Sequence, residues 1–169
     1  MKISTILFLF ITITGVSQSK VGTVDVDFIL SNMPELPAIQ KQIEEYGKEL
    51  DAEFNKNLEA YNALVKEYTD GEVGFTIAQK KTKQEEIVNS ESELNKFQQN
   101  GSKLINLRRD DLLRPLYQKI GVSLEKIAAA EGYTQVLQLD NLVVYADNAY
   151  DITLTILKDL GITIEETKE

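Results

Sequence analysis

The feature that most constrains this chain is one apolar stripe running through residues 37–68. Ile39, Ile43, Tyr46, Leu50, Phe54, Leu58, Tyr61, Val65 and Tyr68 follow one another at spacings of 3 or 4, interrupted by no proline and one glycine, Gly47. Such spacing is one face of a continuous helix. At a rise of 1.5 Å per residue, 32 residues reach about 48 Å, more than a small domain spans. The helix has to project from whatever domain carries it. Leu64 widens the stripe locally, and the extra residue between Leu50 and Leu58 brings the mean period to about 3.6, which slackens any supercoil there.

A projecting amphipathic helix needs a partner for its stripe, and the next segment supplies the means. Residues 69–76 (TDGEVGFT) hold two glycines and an Asp-Gly pair without periodicity, so the chain reverses there. A second helical run follows to about Ala130, with a thinner stripe. It comprises Ile77, Ile87, Leu94, Phe97, Leu104 and Ile105, then Leu112, Leu116, Ile120, Leu124 and Ile127. Two long antiparallel helices joined by a short turn make an α-hairpin. Pro115 lies inside the second helix, where its ring removes a donor and crowds the preceding turn, so a kink is expected there. It marks the passage from projecting arm to compact base.

The flanking segments describe that base. In residues 20–26, Val21, Thr23 and Asp25 alternate with Gly22, Val24 and Val26, as in a short strand. Asp25 or Asp27 can cap a short helix through Phe28, Ile29 and Leu30. Pro34 and Pro37 punctuate the next turn, and Pro37 suits the start of a helix. Gly132 is placed to end the second long helix in a left-handed conformation. Residues 133–139 and 142–146 are strand-like and separated by Asp140-Asn141, a two-residue turn candidate. Asp151 caps a last helix over 152–160, with Ile152, Ile156, Leu157 and Leu160 on one face, and Gly161 closes it. The expected class is α+β. The base covers 20–36 and 112–162, the arm 37–111, and an acidic tail 163–169. A base of roughly 70 residues with three short strands has a thin core and open sheet edges. The chain has no Cys to staple it, which makes oligomerisation the simplest remedy.

Residues 1–19 read as a secretory signal: Lys2 supplies the positive start, residues 3–16 are largely apolar, and small residues follow. Gly15 with Ser17, or Ser17 with Ser19, suits the cleavage positions. The rival, an uncleaved anchor, is disfavoured because the run is shorter than the roughly 20 residues a spanning helix needs. With no Cys after the run, a lipid anchor is excluded. The mature protein is expected outside the cytoplasm, without disulfides and without stable membrane insertion.

Composition narrows the chemistry. The formal charge is −9, from 27 acids and 18 bases, so a nucleic-acid partner is not expected. Without His or Cys, most zinc, iron and copper sites are lost, with every Cys nucleophile and imidazole-dependent triad. No enzyme activity, metal or cofactor is expected. Ser123-Leu124-Glu125-Lys126 fits the S-x-x-K pattern of penicillin-recognising enzymes, yet the companion motifs are absent and the segment sits on an amphipathic helix. The pairs Asp25/Asp27 and Asp110/Asp111 read as helix caps and solvated faces rather than acid–base or metal sites. Asn100-Gly101-Ser102 is a mid-helix sequon by chance, and Gly71-Glu72-Val73-Gly74 is too short and acidic to cradle phosphate.

The order of segments resembles the Skp/OmpH family of periplasmic chaperones over essentially the whole mature chain. The sharpest parts are Val24-Asp25 after the first strand, Glu131-Gly132-Tyr133, Val144-Tyr145-Ala146-Asp147, and Asp151-Ile152-Thr153 leading to Leu157. The resemblance implies a homotrimer whose strands form a shared barrel. Three helical hairpins hang from it as tentacles around unfolded outer-membrane β-barrel proteins, without ATP. Val21, Val24, Val26, Val136, Leu137, Leu139, Val143 and Tyr145 are then candidates for the base core and trimer contacts. Val73, Phe75 and Ile77 at the arm tip are candidate client contacts, because a reversal needs no such apolar cluster. Tyr46, Phe54, Tyr61 and Phe97 are candidates too, although their helical spacing favours the seam of the hairpin. One departure matters. The best-known members are strongly basic, whereas residues 39–110 hold 11 bases against 14 acids. Electrostatic capture of acidic clients and lipopolysaccharide binding are not carried over; Lys80, Lys81 and Lys83 are the local exception. The alternative from another class is a periplasmic coiled-coil scaffold that binds a defined envelope partner.

Overall fold

The alternation around Thr23 becomes strand β1 (Val21–Val24), buried at three of its four positions in the computed structural model, which describes residues 19–164. Residues 1–18 of the expected signal and residues 165–169 of the acidic tail lie outside the described residues. β1 stops where the Asp25 carboxylate accepts a hydrogen bond from the Phe28 N–H at 2.8 Å and caps helix α1 (Val26–Ser31). Helix α2 (Leu36–Gly71) follows, with Pro37 in its first turn, where a missing N–H costs nothing. Helix α3 (Ile77–Glu131) returns. Its Thr76 side chain and the Gln79 side chain cap each other's backbone groups in a capping box. With 36 and 55 residues, the two helices run about 54 and 82 Å.

Gly132 ends α3 at φ 71°, a conformation glycine adopts without a Cβ penalty. The chain then enters strand β2 (Gln135–Gln138), which pairs parallel with β1 in the register Val21↔Gln135 to Val24↔Gln138. Parallel neighbours need a crossover, and here the whole helical hairpin is that crossover. Alternate carbonyls of β1 face opposite edges. Val24 O accepts from Leu139 N at 2.7 Å, and Thr23 O accepts from Ile152 N at 2.9 Å. β1 is therefore occupied on both sides. A 3-10 turn (Asn148–Tyr150) leads into helix α4 (Thr153–Asp159). Ile29, Ile156 and Leu157 form the fully buried centre, joined by Val24, Met33, Ile39, Leu116, Ile120, Ile127 and Ile152. Ile162 and Ile164 also pack against this core, so packing continues into the segment read as tail.

Two expectations need correction. Residues 142–146 are not a strand of this chain. A turn does form at Asp140, whose carbonyl accepts from Val143 N at 3.1 Å, but no ladder follows. β2 already pairs with β1. Leu142, Val144 and Tyr145, 84–98% exposed, also lack cross-strand side chains among the described residues to support a ladder. The eight candidate core residues consequently divide. Val24 is buried, Val26 and Val136 pack against the core, Leu139 and Val143 are half-buried, and Val21, Leu137 and Tyr145 are exposed on the single chain. The second correction concerns Ile77, which leaves the α3 stripe and stands in solvent. At Pro115, α3 continues unbroken, and its neighbours Leu112, Leu113 and Leu116 pack on or into the core.

Candidate functional site

The arm closes on itself through its stripe. All nine α2 stripe positions are buried or half-buried, as are the α3 positions from Ile87 onward. Phe54 and Phe97 face each other across the seam with ring centroids 6.3 Å apart and planes tilted by 32°, within the favourable range for aromatic pairs. The Arg108 guanidinium lies 5.8 Å from the Tyr46 ring centroid, a cation–π contact between the helices. Tyr61 is half-buried on the same stripe, and Tyr68 OH accepts from Gln84 Nε2 at 2.7 Å. Four of the residues singled out as client contacts thus lie along the seam.

At the tip the three candidates separate. Val73 is fully exposed and Ile77 is 90% exposed. Phe75 instead folds back over Gly71, where an added Cβ would sit 2.5 Å from its ring; its centroid is 6.3 Å from that of Tyr68. Phe75 plugs the reversal, and Gly71 is the gap it fills. The lysines there are not a free positive patch. Lys80 pairs with Glu72 at 3.7 Å, Lys81 with Glu85 at 3.9 Å, and Lys83 with Glu67 at 3.0 Å and Glu86 at 3.4 Å. The hydrogen bond to Glu67 raises the Lys83 pKa above its ordinary value, against a smaller desolvation cost, with Glu86 adding to the rise. Each exposed pair contributes little stability, but together they cancel the charge.

In the base, the short sequence signatures turn out to be joints. Gly22 leaves room for the Tyr133 ring, which a Cβ there would meet at 2.7 Å. Lys20 Nζ sits 3.7 Å from the centroid of that ring and donates to the Glu131 carbonyl at 3.0 Å, where a cation complements the C-terminal end of α3. The buried Thr153 hydroxyl donates to Asp151 Oδ1 at 2.5 Å and accepts from the Asp25 N–H at 2.8 Å. One side chain thus stitches the β1–α1 junction to α4. Ser123 and Lys126, the S-x-x-K pair, both bind Asp159 of α4, Ser123 Oγ donating at 2.8 Å. The Lys126 hydrogen bond, then that of Ser123, lowers the Asp159 pKa. Lys119 Nζ pairs with Glu35 at 2.6 Å and ties the start of α2 to α3.

Sequence reading missed the roles of Thr153 and Asp159, whose partners are far away in the chain. It also missed the capping box, for which the Thr76-x-x-Gln79 spacing was available. Among the described residues, no helix is long and apolar enough to cross a membrane, and no group of three carboxylates is placed to hold a metal ion.

This architecture has relatives. A family model for outer membrane protein (OmpH-like) matches residues 20–160. The solved structure of a candidate OmpH-like outer membrane chaperone from Caulobacter crescentus superposes with a TM-score of 0.64 at 14% identity, covering 92% of this chain and 94% of that one. At that identity the likeness speaks to the fold. No curated protein matches the chain in sequence. With the family model spanning both the helical hairpin and the base that carries it, the chain belongs to the OmpH-like family.

Proposed function

We propose that this protein is an ATP-independent periplasmic holdase, exported by a cleaved signal, that encloses unfolded outer-membrane β-barrel proteins between helical arms. The observation that carries the reading is the arm itself. It is a long hairpin whose own stripe is used up in its seam, leaving a charged and polar surface with isolated exposed side chains such as Val73, Ile77, Val88 and Leu107. A holdase requires many weak, sequence-tolerant contacts and no catalytic group. Binding unfolded chain lowers its free concentration and opposes aggregation. A continuous apolar patch would itself aggregate. On this reading Val73 and Ile77 touch clients at the tip, while Phe75, Tyr46, Phe54, Tyr61 and Phe97 first of all keep the arm rigid.

The assembly is a homotrimer joined at the base. Supporting this, residues 142–146 have no ladder among the described residues, and Leu142, Val144 and Tyr145 within them are exposed. Strand edges and apolar side chains left in this state are templates for another copy. The number three comes from the family resemblance. Sedimentation equilibrium of the mature chain should give three times the monomer mass, and a persistent monomer would remove the shared barrel. For the chaperone role, a denatured β-barrel protein is diluted into buffer with and without this protein while light scattering is followed. Suppressed aggregation of several unrelated clients is expected. Unchanged scattering, with capture of one defined partner instead, would favour a scaffold.

A further inference from the structure

Midway along the arm, a cleft of about 280 Å³ opens between α2 and α3 beside Gly101. Leu50, Phe54, Phe97 and Ile105 form its apolar floor, and Asp51, Gln98 and Ser102 its polar rim. Each helix contributes residues at i and i+4 spacing, so the cleft lies along the seam face of both. Nothing in the chain's own packing demands a glycine at 101, since a Cβ there would meet no atom within 4 Å. Glycine also weakens a helix interior relative to alanine. The volume exceeds the ~150 Å³ known to admit benzene in an apolar protein cavity. Among the described residues, Asp51 takes part in none of the arm's ion pairs, and Lys48, one turn before it, is already paired with Glu44.

We propose that this cleft is a binding subsite for an aromatic side chain of an unfolded polypeptide, with a basic residue beside it in the client meeting Asp51. The subsite rests on the holdase reading and gives it a preferred ligand. The ring enters against Phe54 and Phe97, the client's main chain meets Gln98 and Ser102 at the rim, and the acidic rim favours a Lys or Arg neighbour over a Glu or Asp.

The chain has no Trp and no Cys, so a tryptophan in a bound peptide is read without background, and a single introduced thiol can be labelled. Two unstructured peptides serve as probes, one with Trp flanked by Lys and one with Trp flanked by Glu. The Lys-flanked peptide should bind the full mature protein with a blue-shifted emission, and a quencher on Ser102→Cys should extinguish it. Gly101→Leu, which fills the cleft, should weaken binding about tenfold, equivalent to about 1.4 kcal/mol. Gly101→Ala should give a smaller loss in the same direction. Gly47→Leu is the control, because it too replaces a glycine inside an arm helix, at a position where an added Cβ would meet no atom within 4 Å and which does not line the cleft; it should leave binding unchanged. Asp51→Asn should erase the preference for the Lys-flanked peptide. Equal binding by the parent, Gly101→Ala and Gly101→Leu, or absence of quenching at position 102, overturns the subsite. If the parent still suppresses client aggregation, the holdase reading stands without it. If the peptide enters the cleft but aggregation is not suppressed, the holdase reading falls instead.

Discussion

Phe54 and Phe97 decide whether the aromatic residues of the arm serve the fold or the client. Removing a fully buried Phe side chain costs about 3–5 kcal/mol. Both rings here are half-buried, so Phe54→Ala and Phe97→Ala should each destabilise the arm by about 2 kcal/mol, scaled by burial. Their pairing at 6.3 Å adds about 0.5–1.5 kcal/mol beyond area, and either single change already loses it. The double variant should therefore fall short of the sum by about 1 kcal/mol. The loss is local, because the base core lies at the other end of the hairpin. Hydrogen exchange is the suitable assay. Amides flanking both positions should exchange about 30-fold faster, the equivalent of about 2 kcal/mol, while those of β1 and α4 keep their protection. Unchanged arm protection combined with weakened client holding would refute the reasoning and return both rings to the client surface.

Thr153→Val breaks the link between Asp151, Asp25 and α4; with the Asp25 N–H left unpaired, the denaturation midpoint should fall by the equivalent of about 1–3 kcal/mol. Thr23 is the opposite case: its buried hydroxyl has no hydrogen-bond partner among the described residues, so Thr23→Val should raise stability by about 1 kcal/mol, and a loss would show that the hydroxyl is bonded in the assembly. Because Lys126 and Ser123 lower the Asp159 pKa in the folded state, its contribution is complete above the ordinary carboxylate value of about 4 and is lost as pH falls through the lower folded value; the stability gap between the parent and Asp159→Asn should close on acidification, and a constant gap would refute the linkage. Val73→Ser with Ile77→Ser should change stability by less than about 0.5 kcal/mol yet weaken client holding, whereas neutralising Lys80, Lys81 and Lys83 should not weaken it; client dissociation constants for the two variants test the contrast.

How much was legible depended on the reach of each signal. The α2 stripe was readable at all nine positions, because helical periodicity is local and a projecting helix has one partner to face. The same rule misassigned Ile77. The period continues into the first turn of α3, where the reversal leaves nothing opposite. Strands were harder. Alternation marked β1 and a strand-like composition marked β2, but their parallel pairing spans the entire hairpin, and no local pattern names a partner so distant. In residues 142–146 a continuous apolar run is present without a ladder, since such a run records apolar composition and not what covers it. Phe75 could not be told from Val73 without knowing that Gly71 lies beneath its ring. The S-x-x-K pattern found its structural explanation in Asp159, more than 30 residues away.

Charge was the quantity composition handled least well, and correcting it sharpens how the arm can act. Counting suggested a small cationic region at the tip on an otherwise acidic arm. Placement removes that region, since Glu72, Glu85, Glu67 and Glu86 answer each lysine. Exposed charges are screened beyond about 8–10 Å at ordinary ionic strength, so a neutralised tip cannot draw in a distant acidic chain. The excess of acids along the arm opposes such a chain further. On the holdase reading, holding has to come from short-range contacts, for which Val73 and Ile77 are exposed and the seam aromatics are largely not. Length then replaces field strength. A hairpin of about 54 Å along α2 offers many such contacts in parallel, none of them strong enough to trap a client that can fold into a deeper minimum elsewhere. Client affinity should consequently vary weakly with salt. A steep loss of affinity as salt rises would show that unpaired arm charges, rather than apolar contacts, do the holding.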